Sequence, residues 1–345
     1  MSAVARNVQR LVRKIAGENS AIERRLRGTY RQAALRNEAG DDSKTERAMR
    51  GVASSVRFRL RGELTTRSAT VFRRGKSDNR LGIYMLGACD LPTVFAAKPF
   101  IEEDLNGVCA IMRDGEVADA RSDFLLQALD GVDPAAVAEA GQYLKLPPDA
   151  FEPRLFRPEF RIPALPSLGS FPKTVVVLSI AADLSRSLYR NNEHGYLVDP
   201  GGWWLTTPMG EVMEHLDRVA WMRENFTALG KIPVDEFHDN MGRIVTEVKQ
   251  RTGAHVVVFN TLTVSPGDLT HTYQFVRIPQ NLRRMEFDLA LADIAAQHDV
   301  SVVDVDRVLK LEGVKEQIDF AHFPMDRMIP IAREFHRVLR DREII

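Results

Sequence analysis

The sequence predicts an α/β protein with three layers, in which a five-stranded parallel sheet lies between two layers of helices. Two observations support this prediction. Five short runs have the length of strands, four of them β-branched and nearly all apolar, and patterns with helical periodicity lie between them. Strands that are apolar on both faces are typical of a parallel sheet that is covered on both sides, with right-handed crossovers between its strands.

The predicted elements follow one another along the chain from residue 81. The predicted strands are 81–86, 107–112, 174–180, 255–260 and 300–305. The predicted helices are 92–105, 120–129, 209–229, 234–251, 282–298 and 325–339. Residues 143–172 are rich in proline, and we expect them to wrap the surface as an insertion.

The charge pattern divides the 345-residue chain into a basic extension, residues 1–76, and an α/β domain, residues 77–345. The extension has 19 Lys and Arg against 7 Asp and Glu, whereas the domain has 28 against 40. Apolar residues at helical spacing from Val4 to Ile15 predict a basic amphipathic helix. Alternation of Val56, Phe58 and Leu60 with arginines predicts a half-exposed strand, for which a hairpin is one possible arrangement. Such an extension can bind a membrane surface or a protein partner, while the absence of a recognised nucleic-acid module argues against nucleic acid.

Composition favours a cytoplasmic protein, peripheral to a membrane if the extension binds one. No apolar run reaches the roughly 18 to 20 residues of a membrane span, and no secretory signal is recognisable. Two cysteines, Cys89 and Cys109, are too few for a disulfide framework. Because no paired Cys/His spacing for zinc occurs, we expect neither a metal nor a cofactor.

Chemically capable residues follow the predicted strands at or near their carboxyl ends, where parallel sheets gather reactive groups. They are Cys89, Gly115, Asp183, Asn260, Asp319 and His322. An Asp three residues before a His can fix the tautomer of the imidazole, as a general base requires. Cys89 precedes a predicted helix, where a thiol pKa is lowered and the nucleophilic thiolate is favoured. A buried cysteine that acts as a small core residue is the alternative.

From these residues, the chain resembles the SGNH/GDSL hydrolase superfamily, whose members are three-layer α/β esterases and acyltransferases of flavodoxin-like topology. The resemblance covers roughly residues 80–342. It is carried by residues 253–260, 287–291, 300–306 and 319–322. It implies that His322 is the catalytic base and that Asp319 orients it. Gly87-Ala88-Cys89 stands where the family has Gly-Asp-Ser, and this Gly-x-Cys turn is similar to that of a subset associated with bacterial surface-polysaccharide biosynthesis.

The remaining family blocks match loosely. The turn at Gly87 and the Gly115 amide would contribute to the oxyanion and substrate site, although a surface turn explains Gly115 equally well. The Asn of the third block is absent, because Asp183 ends the segment Ile180-Ala181-Ala182-Asp183 that follows the third strand. Asn260 is a candidate replacement, or simply a residue that ends a strand. Arg186, near Asp183, would suit an anionic substrate group, or it forms a solvated ion pair.

Two functions remain open from the sequence. The first is an acyl-transfer enzyme, an esterase, thioesterase or O-acyltransferase that acts on an acylated carbohydrate or a similar small substrate, with acyl-CoA as one conceivable donor. The second is a catalytically silent scaffold of the same fold that binds a glycan, cofactor or protein in polysaccharide or cell-envelope biosynthesis.

Overall fold

The computed structural model describes residues 53–58, 67–74, 78–87, 90–95, 107–114, 120–144, 151, 155, 160, 162, 169–199, 216–263, 278–313 and 325–345. These residues belong to the unit Val52–Ile345, and the predicted amphipathic helix of residues 4–15 lies outside them. Among the described helices, none is both long and apolar enough to span a membrane.

Ten strands are described, and seven of them form the central sheet. The strands are β1 (Ala53–Phe58), β2 (Arg67–Arg74), β3 (Arg80–Leu86), β4 (Gly107–Asp114), β5 (Lys173–Ser179), β6 (Leu188–Asn191), β7 (Leu197–Val198), β8 (Phe226–Gly230), β9 (His255–Phe259) and β10 (Ser301–Val303). The central sheet has the order β1-β2-β4-β3-β5-β9-β10. Its last five strands are parallel and, numbered along the chain, have the order 2-1-3-4-5 of flavodoxin-like folds. The predicted five-stranded parallel sheet is confirmed.

The first two strands come from the segment that the charge pattern assigns to the basic extension. β1 pairs antiparallel with β2, from Ala53 opposite Phe72 to Phe58 opposite Arg67. β2 in turn pairs antiparallel with β4 along its whole length, from Arg67 opposite Asp114 to Arg74 opposite Gly107. These strands therefore extend the central sheet beyond β4.

Nine helices are described in this part of the chain. They are α1 (Asp90–Phe95), α2 (Ser122–Asp130), α3 (Pro134–Leu144), α4 (Ala181–Ser185), α5 (Leu216–Asn225), α6 (Val234–Thr252), α7 (Ile278–His298), α8 (Val305–Leu311) and α9 (Met325–Asp341). On one face of the sheet α6 packs on α7, with the rings of Phe237 and Phe287 stacked 4.6 Å apart. On the other face α1 packs on α9, where Phe95 and Phe335 meet edge to face at 5.2 Å. The three-layer α/β/α architecture agrees with the prediction.

The strands supply side chains to both layers of the core, since successive residues of a strand point to opposite faces. Tyr84 and Val176 belong to the cluster under α6 and α7, while Ile83 and Val175 belong to the cluster under α1 and α9. All four are essentially inaccessible to solvent. This double burial explains why the parallel strands contain so few polar residues.

The predicted helix 209–229 is partly wrong. Residues 209–215 lie outside the described residues, α5 ends at Asn225, and β8 follows at once. β8 pairs with β6 in a small antiparallel sheet of order β7-β6-β8. Phe226 turns into the core, where its ring lies 5.1 Å from that of Trp221. Pairing with a strand more than thirty residues earlier in the chain overrides the local periodicity here.

The predicted strand 300–305 is too long. β10 ends at Val303, and Val305 begins α8, which the sequence analysis missed. The side chain of Asp304 accepts a hydrogen bond from the backbone N–H of Arg307 at 3.0 Å, so Asp304 caps α8. The cap therefore starts a helix at Val305, although a β-branched residue such as valine favours continuation of a strand.

The proline-rich stretch contributes three large apolar side chains to the core. Phe151, Leu155 and Phe160 are at most 4% exposed. The ring of Phe160 meets that of Tyr84, in β3, edge to face at 5.0 Å. These side chains lie inside the fold, whereas the sequence predicted a surface wrapping.

Candidate functional site at the carboxyl edge of the sheet

The strand order predicts a ligand-binding crevice at the carboxyl ends of β3 and β5. In a 2-1-3-4-5 sheet the chain leaves β3 toward one side and β5 toward the other, and ligands bind where these directions diverge. Gly87 follows β3, Asp183 and Arg186 follow β5, and Asn260 follows β9. The structure therefore places these four predicted site residues on one edge of the sheet.

The turn after β3 lies tightly against the end of β5. A Cβ atom added to Gly87 would lie 2.5 Å from Cδ1 of Leu91 and 3.1 Å from Cβ of Ser179, the last residue of β5. Both distances are shorter than ordinary carbon contacts. Glycine at this position therefore lets the chain pass from β3 into α1 in direct contact with β5.

Asp183 is a fully buried carboxyl group beside this crevice. Its Oδ1 accepts hydrogen bonds from the backbone N–H and the hydroxyl of Ser122, at 2.7 and 2.6 Å, at the start of α2. Its Oδ2 is buried and has no hydrogen-bond partner. Burial raises the pKa of Asp183 to about 7, against the lowering effect of the two Ser122 bonds. The side chain joins α4 to α2 and is not open to solvent.

Arg186 lies at the C-terminal end of α4 with its guanidinium about a third exposed. Its Nε is 3.7 Å from Oδ2 of Asp199. Its backbone oxygen accepts a hydrogen bond of 3.3 Å from Arg121, a buried arginine that the sequence analysis did not single out. Arg186 is therefore a half-buried cation that can reach an anion at the edge of the sheet.

Asn260 connects β9 to the start of α8. Its Nδ2 donates to Oδ1 of Asp304 at 3.0 Å, and its Oδ1 accepts from the backbone N–H groups of Val305 at 2.6 Å and Asp306 at 3.4 Å. The side chain is 7% exposed. These bonds use the carboxamide oxygen and one N–H to hold the two segments together. The second N–H remains to donate a hydrogen bond to an oxyanion.

A carboxyl group that the sequence analysis missed lies near Asn260. Asp288, on α7, accepts a bond of 3.5 Å from the backbone N–H of Thr261. Burial, together with the charges of Asp306 and Asp304, raises the pKa of Asp288 to about 8. Its burial could not be predicted from the sequence. Asp288 lies between apolar neighbours on an amphipathic helix, and a charged residue of such a helix is expected on the exposed face. No group of three His, Cys, Asp or Glu side chains in the described part of the chain is arranged to hold a metal.

Cys89, Gly115, Asp319 and His322 lie outside the described residues. The elements next to them are described. β3 ends at Leu86 and α1 begins at Asp90, so the chain passes from strand to helix across Cys89. Likewise, α9 begins at Met325, three residues after His322.

The direction of α9 follows from contacts at its C-terminal end. Arg342 donates from Nε to the hydroxyl of Ser301 at 3.0 Å, and Lys173 donates to the backbone oxygen of Glu343 at 3.5 Å. Ser301 and Lys173 are the first residues of β10 and β5. The C-terminal end of α9 therefore lies at the amino edge of the sheet. Its N-terminal end, nearest in sequence to His322, points to the carboxyl edge.

These observations define the class of the protein: a three-layer α/β/α fold of flavodoxin-like strand order, with polar residues gathered at the carboxyl edge of its parallel strands. No protein-family model matches the chain, and no curated protein matches it significantly. The chain is similar to the solved structure of an acetylxylan esterase from Geobacillus stearothermophilus, with 11% identity and a TM-score of 0.35 over 76% of this chain and 94% of that one. It is also similar to a candidate SGNH hydrolase from Slackia heliotrinireducens, with 12% identity and a TM-score of 0.36 over 76% of this chain and 100% of that one.

Proposed function

We propose that the protein is an acyl-transfer enzyme with Cys89 as nucleophile, His322 as general base and Asp319 as the carboxylate that orients His322. Its substrate is an ester or thioester of a small molecule such as an acylated carbohydrate, in the setting of surface-polysaccharide biosynthesis. The observation that supports this most is the strand-to-helix passage between β3 and α1, in contact with the end of β5. In this topology ligands bind at the carboxyl ends of the strands next to that passage, which supports a nucleophile there.

Packing on one face of the sheet supports the pairing of Cys89 with His322. Leu91, in the first turn of α1, and Met328, in the first turn of α9, are both buried in the same apolar cluster. Phe95 and Phe335 join the same two helices further along. Both helices pack against each other and both begin at the carboxyl edge of the sheet, which supports a shared site for the residues that precede them.

The proposed reaction is a two-step acyl transfer. His322 takes the thiol proton of Cys89, and the thiolate attacks the carbonyl carbon of the ester. The bond from that carbon to the leaving oxygen breaks as His322 returns the proton to this oxygen. In the second step, water or a sugar hydroxyl gives its proton to His322 and attacks the thioester, releasing the acid or the new ester and restoring the thiolate. The amide of Gly115 and the second N–H of Asn260 are the proposed oxyanion donors.

The second candidate function, a catalytically silent scaffold, is favoured by the segment after β5. Ala181 and Ala182 are buried in α4, and Asp183 is occupied by Ser122, so this segment presents no amide side chain to an oxyanion. Loss of one oxyanion donor costs on the order of a hundredfold or more in rate. A scaffold would tolerate that loss.

Hydrolysis of p-nitrophenyl acetate by purified variants tests the proposal. We expect Cys89→Ala and His322→Ala to lower kcat/KM on the order of a thousandfold or more, because residues that act as one unit fail together. Cys109→Ala is the matched control, since Cys109 is a buried residue of β4. Wild-type rates in both the Cys89 and His322 variants would refute the proposed acyl-transfer function.

Alkylation at pH 6 separates the two functions without a substrate. Burial alone raises the pKa of Cys109, so that thiol should react slowly, and any fast labelling reports Cys89. Fast labelling that disappears in Cys89→Ala supports an activated nucleophile. Slow labelling of the wild type supports the scaffold.

A further inference from the structure

Cationic side chains from three separate segments meet around the short helix α4, next to the crevice. Arg283 of α7 donates from Nη2 to the backbone oxygen of Asp183 at 2.8 Å. Lys231, just after β8, donates to the backbone oxygen of Ser185. Arg121, just before α2, donates to the backbone oxygen of Arg186. Since helical carbonyls at a C-terminal end carry partial negative charge, these bonds account for the position of each cation.

Among the described residues, the carboxylates around α4 balance these cations only in part. Asp123 accepts from Nε and Nη2 of Arg121 at 2.9 and 2.5 Å, which neutralises that arginine. Asp199 lies 3.7 Å from Arg186. Asp183 contributes little negative charge below neutral pH, because burial holds its carboxyl protonated up to a pKa of about 7.

Among the described carboxylates, Asp199, Asp183 and Glu286 oppose Lys231 and Arg283, but Asp199 also lies beside Arg186 and Asp183 is largely protonated below neutral pH, so positive charge is in excess in this part of the structure. Partial removal of the amine from solvent, together with the charges of Arg283, Arg121 and Arg186, lowers the pKa of Lys231 to about 8. The charge of Asp199 acts in the opposite direction. Burial likewise lowers the pKa of Arg283, with Asp183 and Glu286 opposing and Arg121 reinforcing this effect. An uncompensated cation of this kind is stabilised by a bound anion.

Both side chains retain donors for such an anion. Lys231 is exposed and has three N–H groups, of which α4 uses one. Arg283 stacks over the ring of Phe287, with Cζ 4.2 Å from the ring centroid, and its buried Nε meets no hydrogen-bond partner among the described residues. A guanidinium held flat in this way presents its donors in the fork that matches a carboxylate or a phosphate.

We propose that Arg186, Lys231 and Arg283 form a subsite for an oxyanion, a carboxylate or a phosphate, carried by the substrate. The subsite borders the crevice because α4 begins two residues after β5 ends. The identification of this anion as part of the substrate rests on the proposed acyl-transfer function. The substrate class is accordingly an acylated sugar that bears a negative charge, such as a sugar phosphate or a uronic acid.

Calorimetric titration with glucose 6-phosphate, glucuronate and glucose at low salt tests the subsite. We expect at least one of the charged sugars to bind, with affinity that falls as salt is added, and glucose to bind much more weakly. Lys231→Met and Arg283→Met should each weaken that binding about tenfold, which is the usual effect of one charge-assisted hydrogen bond. Lys231→Arg should retain it, and Arg243→Met, an exposed arginine on α6, is the matched control.

Each outcome decides the proposal. Binding of only one charged sugar identifies the oxyanion as phosphate or carboxylate. Equal affinity for the three sugars, absence of binding to all of them, or unchanged affinity in both methionine variants overturns the subsite. Thermal melting of each variant separates lost binding from lost folding. Because Cys89→Ala should bind the charged sugar as the wild type does, failure of the acyl-transfer function would leave these titrations unchanged.

Discussion

Replacing Asp183 by Asn should change how the stability of the protein depends on pH. In the folded protein the pKa of Asp183 is raised from its ordinary value of 3.8 to about 7 by burial. Between these two values the unfolded chain has released the proton and the folded chain still holds it. The free energy of unfolding of the wild type therefore falls as pH rises, by about 1.4 kcal/mol per unit, and levels off above the folded pKa.

The magnitude follows from these two pKa values. Over the full interval the loss is about 4 kcal/mol, and between pH 5 and pH 8 it is about 3 kcal/mol. The side chain introduced by Asp183→Asn would keep an oxygen for Ser122 but would not titrate, so this loss should be absent from the variant. The new amide N–H would lack an acceptor at a cost of about 1 to 3 kcal/mol, which is the same at every pH and leaves the slope unchanged.

Urea denaturation at pH 5, 6, 7 and 8, followed by tryptophan fluorescence, measures this difference. Trp221 is buried and provides the signal. Relative to the wild type, Asp183→Asn should gain about 3 kcal/mol between pH 5 and pH 8. Asp235→Asn, an exposed carboxylate in the first turn of α6, is the control. If the Asp183→Asn and wild-type stabilities change in parallel with pH, the buried-carboxyl argument is wrong.

Three further substitutions test the elements that form the edge of the site. Gly87→Ala should destabilise the protein by about 1 to 3 kcal/mol in urea, because its new methyl group would overlap Leu91, and an unchanged urea midpoint would contradict this close contact. Phe335→Ala should cost about 3 to 5 kcal/mol, since this fully buried ring joins α9 to α1; a cost below about 1 kcal/mol would contradict that packing. Asn260→Ala should cost about 1 to 3 kcal/mol and increase amide hydrogen exchange in α8, and unchanged exchange would show that α8 does not depend on this side chain.

The sequence predicted the parallel sheet because its strands have an unambiguous local signal. Residues such as Val175, Val176 and Val177 are buried on both faces, so almost no polar residue is tolerated and the run is recognisable without knowledge of its partners. β6 and β8 lack that signal. They are short and partly exposed, and their pairing depends on residues more than thirty positions away. Local periodicity could not distinguish β8 from the end of α5.

The same distinction separates the predicted site residues from the missed ones. Asp183 and Asn260 could be predicted because each follows a strand, and the topology alone brings strand ends to one edge. Lys231 and Arg283 follow no motif and lie 52 residues apart in the chain. Only the packing of β8 and α7 around α4 brings them together. A cluster of single cations from distant parts of the chain has no characteristic spacing by which it could be recognised in the sequence.

An acyl-transfer enzyme and a binding scaffold would use different residues at the same crevice. Variants of Lys231 and Cys89, tested together, therefore distinguish the two functions. A scaffold needs the cations around α4 and has no use for the Cys89 thiolate, whereas an acyl-transfer enzyme with a charged substrate needs both. For such an enzyme, Lys231→Met should raise KM for an anionic ester while leaving the turnover of p-nitrophenyl acetate unchanged, because that substrate is neutral. Cys89→Ala should abolish turnover of both substrates and leave the binding of anionic sugars intact. A protein in which Lys231→Met weakens sugar binding but Cys89→Ala changes no measurable rate would be a binding scaffold built on a flavodoxin-like sheet.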